Sequence, residues 1–323
     1  MKSKNLRQSL GLTVVSSLVV SVLVSQAQAA PKPDPKQEKI NVLVGLLNTY
    51  SKQIHGYQRN YGWVASADVG PTCKEKGIKG FSQLVLQPGV MDGYTSAVAK
   101  KPVLPADAAA LKFLQAVSAL EVPINQLGEY YFAKKYKADN CKRGQELHPA
   151  LVSNFKIFND AEKELRAFVV AYNDDLDAKL LVETRKKYGE GFRLQLELQL
   201  RDAKALIREL DAQFQSDTPD VAVIAKYNDA LNATVTVTLE MIAKVKEVKT
   251  GKSKKTYDEL YQGGYERMVQ AGQTLSAQTI RVIEQVSAKP GSSTLDSQLK
   301  NAFSNYNEMI QALNKVKLSK NVK

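Results

Sequence analysis

The sequence of 323 residues is poor in the residue types that build most catalytic and metal sites. It has two histidines, two cysteines and one tryptophan. A zinc site needs three or four ligands, so two histidines without an HExxH motif predict no metal centre. GxSxG, a glycine-rich phosphate loop and CxxCH are all absent, which removes the motif evidence for a hydrolase, a nucleotide site or attached haem. We therefore predict no catalytic residues, no bound metal and no cofactor.

Long apolar runs are also scarce. The run Leu10–Val24 is too short for a membrane span, and no later stretch approaches the ~20 apolar residues that a span requires. This run follows three basic residues (Lys2, Lys4 and Arg7) and precedes Ala27–Ala29. Together these are the parts of a secretory signal peptide that is cleaved after the last of those alanines. No cysteine stands at the cleavage position, so we expect a periplasmic or secreted protein that is not a lipoprotein.

The two cysteines, Cys73 and Cys141, match no CxxC redox or zinc spacing. In an oxidising compartment a lone pair of cysteines is most simply a disulfide, and a pair of catalytic thiols is the minority alternative. Closing a loop of this length stabilises the fold by about 4 kcal/mol in the chain-entropy model. The sequence therefore predicts a disulfide between Cys73 and Cys141.

Basic residues outnumber acidic ones, with a formal net charge of +12, three units of which belong to the signal peptide. Such an excess suits anionic lipid, lipopolysaccharide, acidic glycan or nucleic acid, although solubility is the simpler explanation. Four lysines, Lys249, Lys252, Lys254 and Lys255, concentrate in one loop with glycine and serine. This loop either contacts an anionic surface or is simply a solvated loop, and we favour the second interpretation.

Helical periodicity dominates the rest of the chain. Apolar and tyrosine residues recur at alternating steps of three and four over 40–61, which predicts a long amphipathic helix with heptad-like, coiled-coil spacing. The helical pattern returns at Pro105, and Pro123 predicts a kink or an interruption in that second helix. The inner face of the second helix is predicted to carry Leu111, Leu114, Ile124, Leu127 and Tyr131.

The segment 194–200 is ambiguous, because its four leucines alternate as they would in a strand. The longer helical pattern continues to Phe214, and Glu197 with Arg201 forms a favourable i,i+4 pair, so we predict a helix. The chain is therefore predicted to be all-α, a bundle of long antiparallel amphipathic helices with one irregular loop region at about 66–104.

The predicted domain organisation has four parts. A signal peptide covers 1–29 and an extended, proline-containing linker covers 30–38. A single helical domain covers 39–317, and a basic tail covers 318–323.

Several polar residues are candidates for a site. Tyr130 and Tyr131, with other tyrosines, suit a carbohydrate or peptide groove, although aromatic residues at helical spacing more often belong to a core. His148 lies beside Glu146 at the start of a predicted helix, where a ligand-binding role competes with a buried or capping role. For His55, on the first predicted helix, a buried or capping role is also the simpler interpretation.

One longer pattern has a family resemblance. The segment Tyr130-Tyr131, then Tyr136-x-x-Asp139, then Gly144-x-x-x-His148 resembles the YiiG-like family of bacterial envelope proteins, a family of unknown function. The Lys39-x-Asn41 … Asn48 pattern is similar too. The resemblance implies a long helical domain in the cell envelope and brings no catalytic residues with it. Members of that family are commonly lipoproteins, and this chain departs from them because the lipid-bearing cysteine is missing.

These observations favour an exported, non-enzymatic binding protein. Its partner is expected to be an unknown envelope component, such as a protein, anionic lipid or glycan, and not nucleic acid. The expected contacts lie in the 66–104 and Lys249–Lys255 loops, and Tyr130, Tyr131 and His148 are further candidates. The alternative is an enzyme or metal-binding protein with a site assembled around His148, Glu146 and nearby tyrosines.

Overall fold

The computed structural model describes residues 34–62, 65, 70–74, 84–215, 219–247, 264–288 and 293–315. The predicted signal peptide, the Lys249–Lys255 loop and the basic tail lie outside the described residues. The described helices are α1 (Pro35–Gly62), α2 (Pro88–Ala99), α3 (Ala106–Phe132), α4 (Tyr136–Asp139), α5 (Lys142–Tyr188), α6 (Phe192–Gln215), α7 (Val221–Glu247), α8 (Tyr265–Ala288) and α9 (Ser293–Lys315). These residues form no β-strand, so the all-α prediction is confirmed, while the antiparallel bundle stays a prediction. Within the described ranges, no helix combines the length and apolarity needed to cross a membrane.

Contacts group the described residues into two compact units that divide between Asn173 and Asp174. The first unit contains α1 to α4 and the N-terminal part of α5. The second contains the rest of α5 and α6 to α9. The single helical domain predicted for 39–317 stays a prediction, and within that range each unit has its own buried side chains.

Helix α1 begins at Pro35, inside the segment predicted as an extended linker. The Asp34 carboxylate accepts the Lys36 backbone N–H at 3.1 Å, which caps the helix, and proline suits the first turn because it has no N–H to leave unpaired. Residues 35–38 are therefore helical. The predicted apolar stripe is confirmed from Ile40 to Tyr61, since every member is buried. The coiled-coil interpretation of that stripe stays a prediction.

Part of the predicted irregular region 66–104 is a helix. Helix α2 starts with Pro88 in its first turn, and its two internal glycines lower helix propensity without preventing a helix that packs on α1 and α3. The extended residues before it lie along α3, where the Asn125 side chain both accepts the Leu84 N–H at 2.8 Å and donates to the Leu84 carbonyl at 2.9 Å. The prediction of an irregular loop was therefore wrong over 88–99.

Helix α3 continues through Pro123, so the predicted interruption was wrong, while the predicted kink stays a prediction. A proline at this position removes the N–H that would bond the carbonyl four residues earlier, which belongs to Ala119. The Asn154 side chain of α5 donates to that carbonyl at 3.1 Å and replaces the lost partner. The inner-face prediction holds for Leu114, Ile124, Leu127 and Tyr131. It was wrong for Leu111, which is 41% exposed because the buried stripe is centred on Ala110, Phe113 and Val117.

A buried lysine joins α1 to the α2–α3 connection. The Lys39 ammonium donates to the carbonyls of Lys100 (2.6 Å) and Pro102 (2.8 Å) and to Asp107 Oδ2 (2.7 Å). The same carboxylate oxygen accepts the Leu104 backbone N–H at 2.9 Å. All three ammonium protons thus have acceptors, which is the condition under which a buried charge is tolerated.

In the second unit, α6 packs on α7, and α8 packs on α7 and α9. Residues 192–197 of α6 are buried on every side of the helix. Two contacts involve polar side chains in and next to this stretch: Arg193 pairs with Glu197 at 2.9 Å, and Gln199 donates to the Met268 carbonyl at 3.1 Å. The prediction of a helix here is confirmed. The leucines alternate with polar residues in this segment, as they would in a strand, because the helix buries polar and apolar side chains alike.

We expect replacement of Lys39 by methionine to cost about 3 kcal/mol of unfolding free energy. The substitution keeps the apolar volume but leaves Asp107 and two carbonyls without their donor. Urea denaturation measures the loss, with the exposed Lys52→Met as a matched control on the same helix. Equal, small changes in the two variants would show that the buried ammonium stabilises nothing.

Asn154 and Pro123 should be energetically coupled. Asn154→Ala is expected to cost about 1 kcal/mol in the native background, because the Ala119 carbonyl loses its donor. In a Pro123→Ala background the helix supplies its own N–H, so the same change should cost much less. A double-mutant cycle followed by urea unfolding measures this coupling, and a coupling near zero would contradict the compensation.

Candidate functional site

The predicted candidate residues Tyr130, Tyr131 and His148 lie in one cluster in the first unit, where α3 ends and α5 begins. A disulfide closes this cluster: Cys73 and Cys141 are bonded, with their Cα atoms 5.7 Å apart. That separation lies within the usual range of about 4.4–6.8 Å. The predicted pairing of the two cysteines is confirmed. The cross-link places residues 70–74 directly beside the start of α5.

Two glycines allow this close approach. A Cβ at Gly144 would lie 2.9 Å from Pro71, closer than real Cβ atoms approach, and 3.1 Å from the Tyr131 hydroxyl, which is also tight. Gly70 has φ +71°, and a Cβ there would lie 3.0 Å from the His148 ring. Glycine is favoured at such positions because it has no Cβ and adopts positive φ freely. The Gly144-x-x-x-His148 spacing is therefore a packing motif in this structure.

His148 is buried in this cluster and is bonded to α1. The Tyr61 hydroxyl and His148 Nδ1 are 2.7 Å apart, and the two ring centroids are separated by 5.7 Å. Burial raises the pKa of Tyr61 above its ordinary value, and the nearby Tyr131 raises it further, so the phenol stays protonated. The pair Tyr61–His148 therefore connects α1 to the start of α5 as part of the core.

The tyrosines of the predicted motif pack against one another. The rings of Tyr130 and Tyr131 lie 5.1 Å apart, and those of Tyr131 and Tyr136 lie 5.6 Å apart. The Tyr130 hydroxyl donates to Asp139 at 2.6 Å; burial and this hydrogen bond raise the pKa of Tyr130, while the hydrogen bond lowers the pKa of Asp139. Because Tyr130 and Tyr131 are buried, the structure presents them as core residues and not as the walls of a groove.

Glu146 does not join His148. It is exposed and accepts a hydrogen bond from Arg143 at 3.1 Å. Residues two apart on a helix point to different sides, so this separation follows from the helix itself. Across the described residues, no three histidine, cysteine or acidic side chains are grouped so as to hold a metal ion. The Lys249–Lys255 loop lies outside the described residues.

A second, partly buried polar cluster in the first unit surrounds His55. His55 Nε2 lies 2.7 Å from Glu162 Oε2, and Nδ1 lies 2.6 Å from Gln58 Oε1. Gln58 donates its amide to Asn159 at 2.8 Å, which turns its oxygen toward His55. Both ring nitrogens of His55 therefore lie within hydrogen-bond distance of side-chain oxygens. Sequence reasoning missed this cluster, because His55 and Glu162 are separated by 107 residues and no local spacing joins them.

Glu162 also carries a salt bridge to Arg166 at 2.5 Å. Burial by itself would raise the pKa of Glu162, but the hydrogen bond and charge of His55, together with Arg166, lower it to about 2. The Glu162 carboxylate is thus held ionised by its contacts with His55 and Arg166. This cluster connects α1 to α5 and stabilises the fold where these two helices meet.

One open cleft lies along the polar face of α1. It has a volume of about 530 Å³, and its walls include Asn48, Lys52, Gln53 and Asn60. Nearby, the hydroxyls of Thr49 and Tyr94 lie 2.9 Å apart. Amides and hydroxyls suit hydrogen bonding to a polar ligand, but these lining residues contain no acid–base pair for catalysis.

Comparison with known proteins agrees with the sequence pattern. A family described as a protein of unknown function, DUF3829, matches residues 34–315. The uncharacterized protein YiiG of Escherichia coli (strain K12) is 27% identical over 183 residues, which cover 52% of each chain. The chain therefore spans about half the length of this curated relative. No solved structure matches. The predicted resemblance to YiiG-like proteins is confirmed.

We expect the Glu162 cluster to give the protein an acid-sensitive stability. Because the folded-state pKa is about 2 and the ordinary value is 4.5, the contribution is present above about pH 5 and is lost as the pH falls toward 2. The difference corresponds to roughly 3 kcal/mol at most. Glu162→Gln should remove this acid-dependent part of the unfolding free energy measured by urea denaturation across that range.

The control is Glu164→Gln, two residues further along α5, where an exposed carboxylate pairs with Lys112 at 3.0 Å. An exposed pair of this kind contributes little to stability. Identical acid profiles for the two variants would contradict the buried-cluster assignment.

Proposed function

The chain belongs to the DUF3829 family of proteins of unknown function, so we propose its function from its sequence and the geometry of its described residues. We propose an exported protein of the bacterial cell envelope that acts by binding another envelope component and not by catalysis. The observation that carries this proposal is the closed cluster at the Cys73–Cys141 disulfide.

The disulfide supports export. Structural disulfides persist in oxidising compartments and are rare in the cytosol, and this one joins the only two cysteines of the chain. The signal-peptide pattern of the first 29 residues supports the same compartment. In a protein that stays in the cytosol, glutathione and thioredoxin would keep both thiols reduced.

The packing supports a non-catalytic role. A general acid or base must reach the substrate, yet His148 is 8% exposed and Tyr130 is 4% exposed. The polar atoms of this cluster bond to one another, as in Tyr61–His148 and Tyr130–Asp139. The alternative of an enzyme or metal site around His148 and Glu146 is therefore not favoured, because the structure directs these two residues to different partners.

Fractionation of cells that express the whole sequence tests the export half. We expect the protein in the periplasm or the medium, with a mass that corresponds to residues 30–323 and no alkylation of denatured, unreduced protein by a thiol reagent. Reduction before alkylation should then label both cysteines. Cytosolic protein of full mass with two reactive thiols would overturn the export proposal.

Photo-crosslinking in the same cells tests the binding half. A photoreactive residue at Val85, which is 66% exposed within the 66–104 segment, or at Lys252, is expected to capture an envelope component. Ile157 on α5, 52% exposed, is the matched control position. Adducts equal in identity and yield at all three positions would contradict a specific binding surface in these segments.

A further inference from the structure

The connection between α3 and α5 combines an exposed aromatic ring with a cluster of cations. We call residues 132–143 the basic turn. Phe132 is 80% exposed, more than any other large apolar side chain in the described part of the chain. Five basic residues and one acidic residue, Asp139, lie within these twelve positions. A single exposed apolar side chain is common on a protein surface, so the feature that sets Phe132 apart is the cluster of cations beside it.

The backbone holds this turn in a defined shape. Helix α3 ends in a Schellman motif, in which the Lys135 N–H bonds the Tyr130 carbonyl and the Lys134 N–H bonds the Tyr131 carbonyl, each at 3.1 Å. Lys134 has φ +55°, at the position where glycine is the usual residue. The motif turns the chain directly after Phe132, so the ring and the following lysines lie at the same end of the helix.

The buried cluster beneath the turn fixes it to the first unit. Cys141 is bonded to Cys73, and the Tyr136 ring packs on Tyr131 at 5.6 Å. Asp139 is occupied from within, because it accepts the Tyr130 hydroxyl at 2.6 Å and the Arg143 backbone N–H at 3.1 Å. The turn is therefore presented by a cross-linked core, and its acidic residue faces internal donors.

Most cations of the turn are available to a partner. Lys134, Lys135, Lys137 and Lys142 are exposed, and no ion pair joins any of them to a carboxylate of the described residues. Arg143 alone is paired, with Glu146 at 3.1 Å. The turn thus offers four unpaired positive charges around one apolar ring.

We propose that the basic turn docks on the surface of an anionic phospholipid bilayer. Lysines near such a surface gain roughly fivefold in affinity each, and an aromatic ring inserts at the level of the headgroups. Double-stranded nucleic acid would use the same lysines but provides no apolar layer for Phe132. The inference goes beyond the proposed function, because the basic turn lies outside the 66–104 and Lys249–Lys255 segments. It rests on the proposed export only for the place at which the protein meets this membrane.

Co-sedimentation with lipid vesicles tests the inference on the purified, oxidised protein. We expect binding to vesicles of equal parts phosphatidylglycerol and phosphatidylcholine, weakening as salt is added, and little binding to phosphatidylcholine alone. The Lys134→Gln, Lys135→Gln, Lys137→Gln triple variant should lower the partition coefficient on the order of a hundredfold. Phe132→Ser by itself should lower it roughly tenfold.

Matched variants separate the turn from general charge. Lys163→Gln, Lys186→Gln, Lys187→Gln removes the same charge from exposed positions elsewhere and should change binding by less than about threefold. Ile157→Ser is the corresponding control for Phe132→Ser. All substituted side chains are exposed, and urea unfolding of each variant confirms that its fold is intact.

Three results would overturn the inference. The first is equal binding to both kinds of vesicle, and the second is an equal loss of vesicle binding in the control triple variant. The third is tight binding to soluble inorganic polyphosphate that persists in Phe132→Ser, together with no binding to vesicles. The vesicle assay uses purified protein, so its failure is distinct from a failure of export, which fractionation reports separately.

Discussion

The Cys73–Cys141 cross-link is the constraint on which the closed cluster of the first unit depends. It holds residues 70–74 beside the start of α5, where Gly70 lies against His148 and Gly144 lies against Tyr131. Both half-cystines have positive φ, a conformation that non-glycine residues seldom adopt without tertiary support. A loop of this length adds about 4 kcal/mol in the chain-entropy model, a large share of the stability of an ordinary domain.

The same constraint has two consequences for function. It buries the polar side chains that resemble a catalytic set, because the phenol of Tyr61 and the ring of His148 are used to join helices. The disulfide also supports the basic turn on the surface of the first unit, where Phe132 and the four lysines are exposed. An interior fixed by a covalent bond and an exterior rich in cations both agree with a protein that acts through its surface.

Much of the fold was predictable because local periodicity carries it. The stripe from Ile40 to Tyr61 repeats at helical spacing, and two cysteines in a chain that begins with a signal-peptide pattern have one possible pairing. Helix α2 was missed because its proline and glycines have low helix propensity. This short helix is stabilised by packing on α1 and α3. Where α3 passes through Pro123, the unpaired Ala119 carbonyl is satisfied by Asn154, a residue of another helix. Partners distant in sequence give no local signal.

In the candidate site, too, local patterns were predictable from the sequence and contacts between distant residues were not. The grouping of Tyr130, Tyr131 and His148 was visible in the motif, but whether they face a groove or a core was decided by Gly70 and Gly144, whose role appears only in three dimensions. The Lys39 contacts with Asp107 and the His55 contact with Glu162 span 68 and 107 residues. Ion pairs between residues so far apart cannot be predicted from one sequence, because each basic residue has many acidic residues as possible partners.

Hydrogen exchange of the oxidised protein and of the Cys73→Ser, Cys141→Ser variant tests most directly whether the cross-link holds the cluster closed. The account predicts that amides at the start of α5, around residues 142–150, lose protection in the variant. Amides of α1 around Lys39 should keep theirs, since their contacts do not involve the disulfide. Unchanged protection at the start of α5, or an equal loss in both regions, would contradict the account.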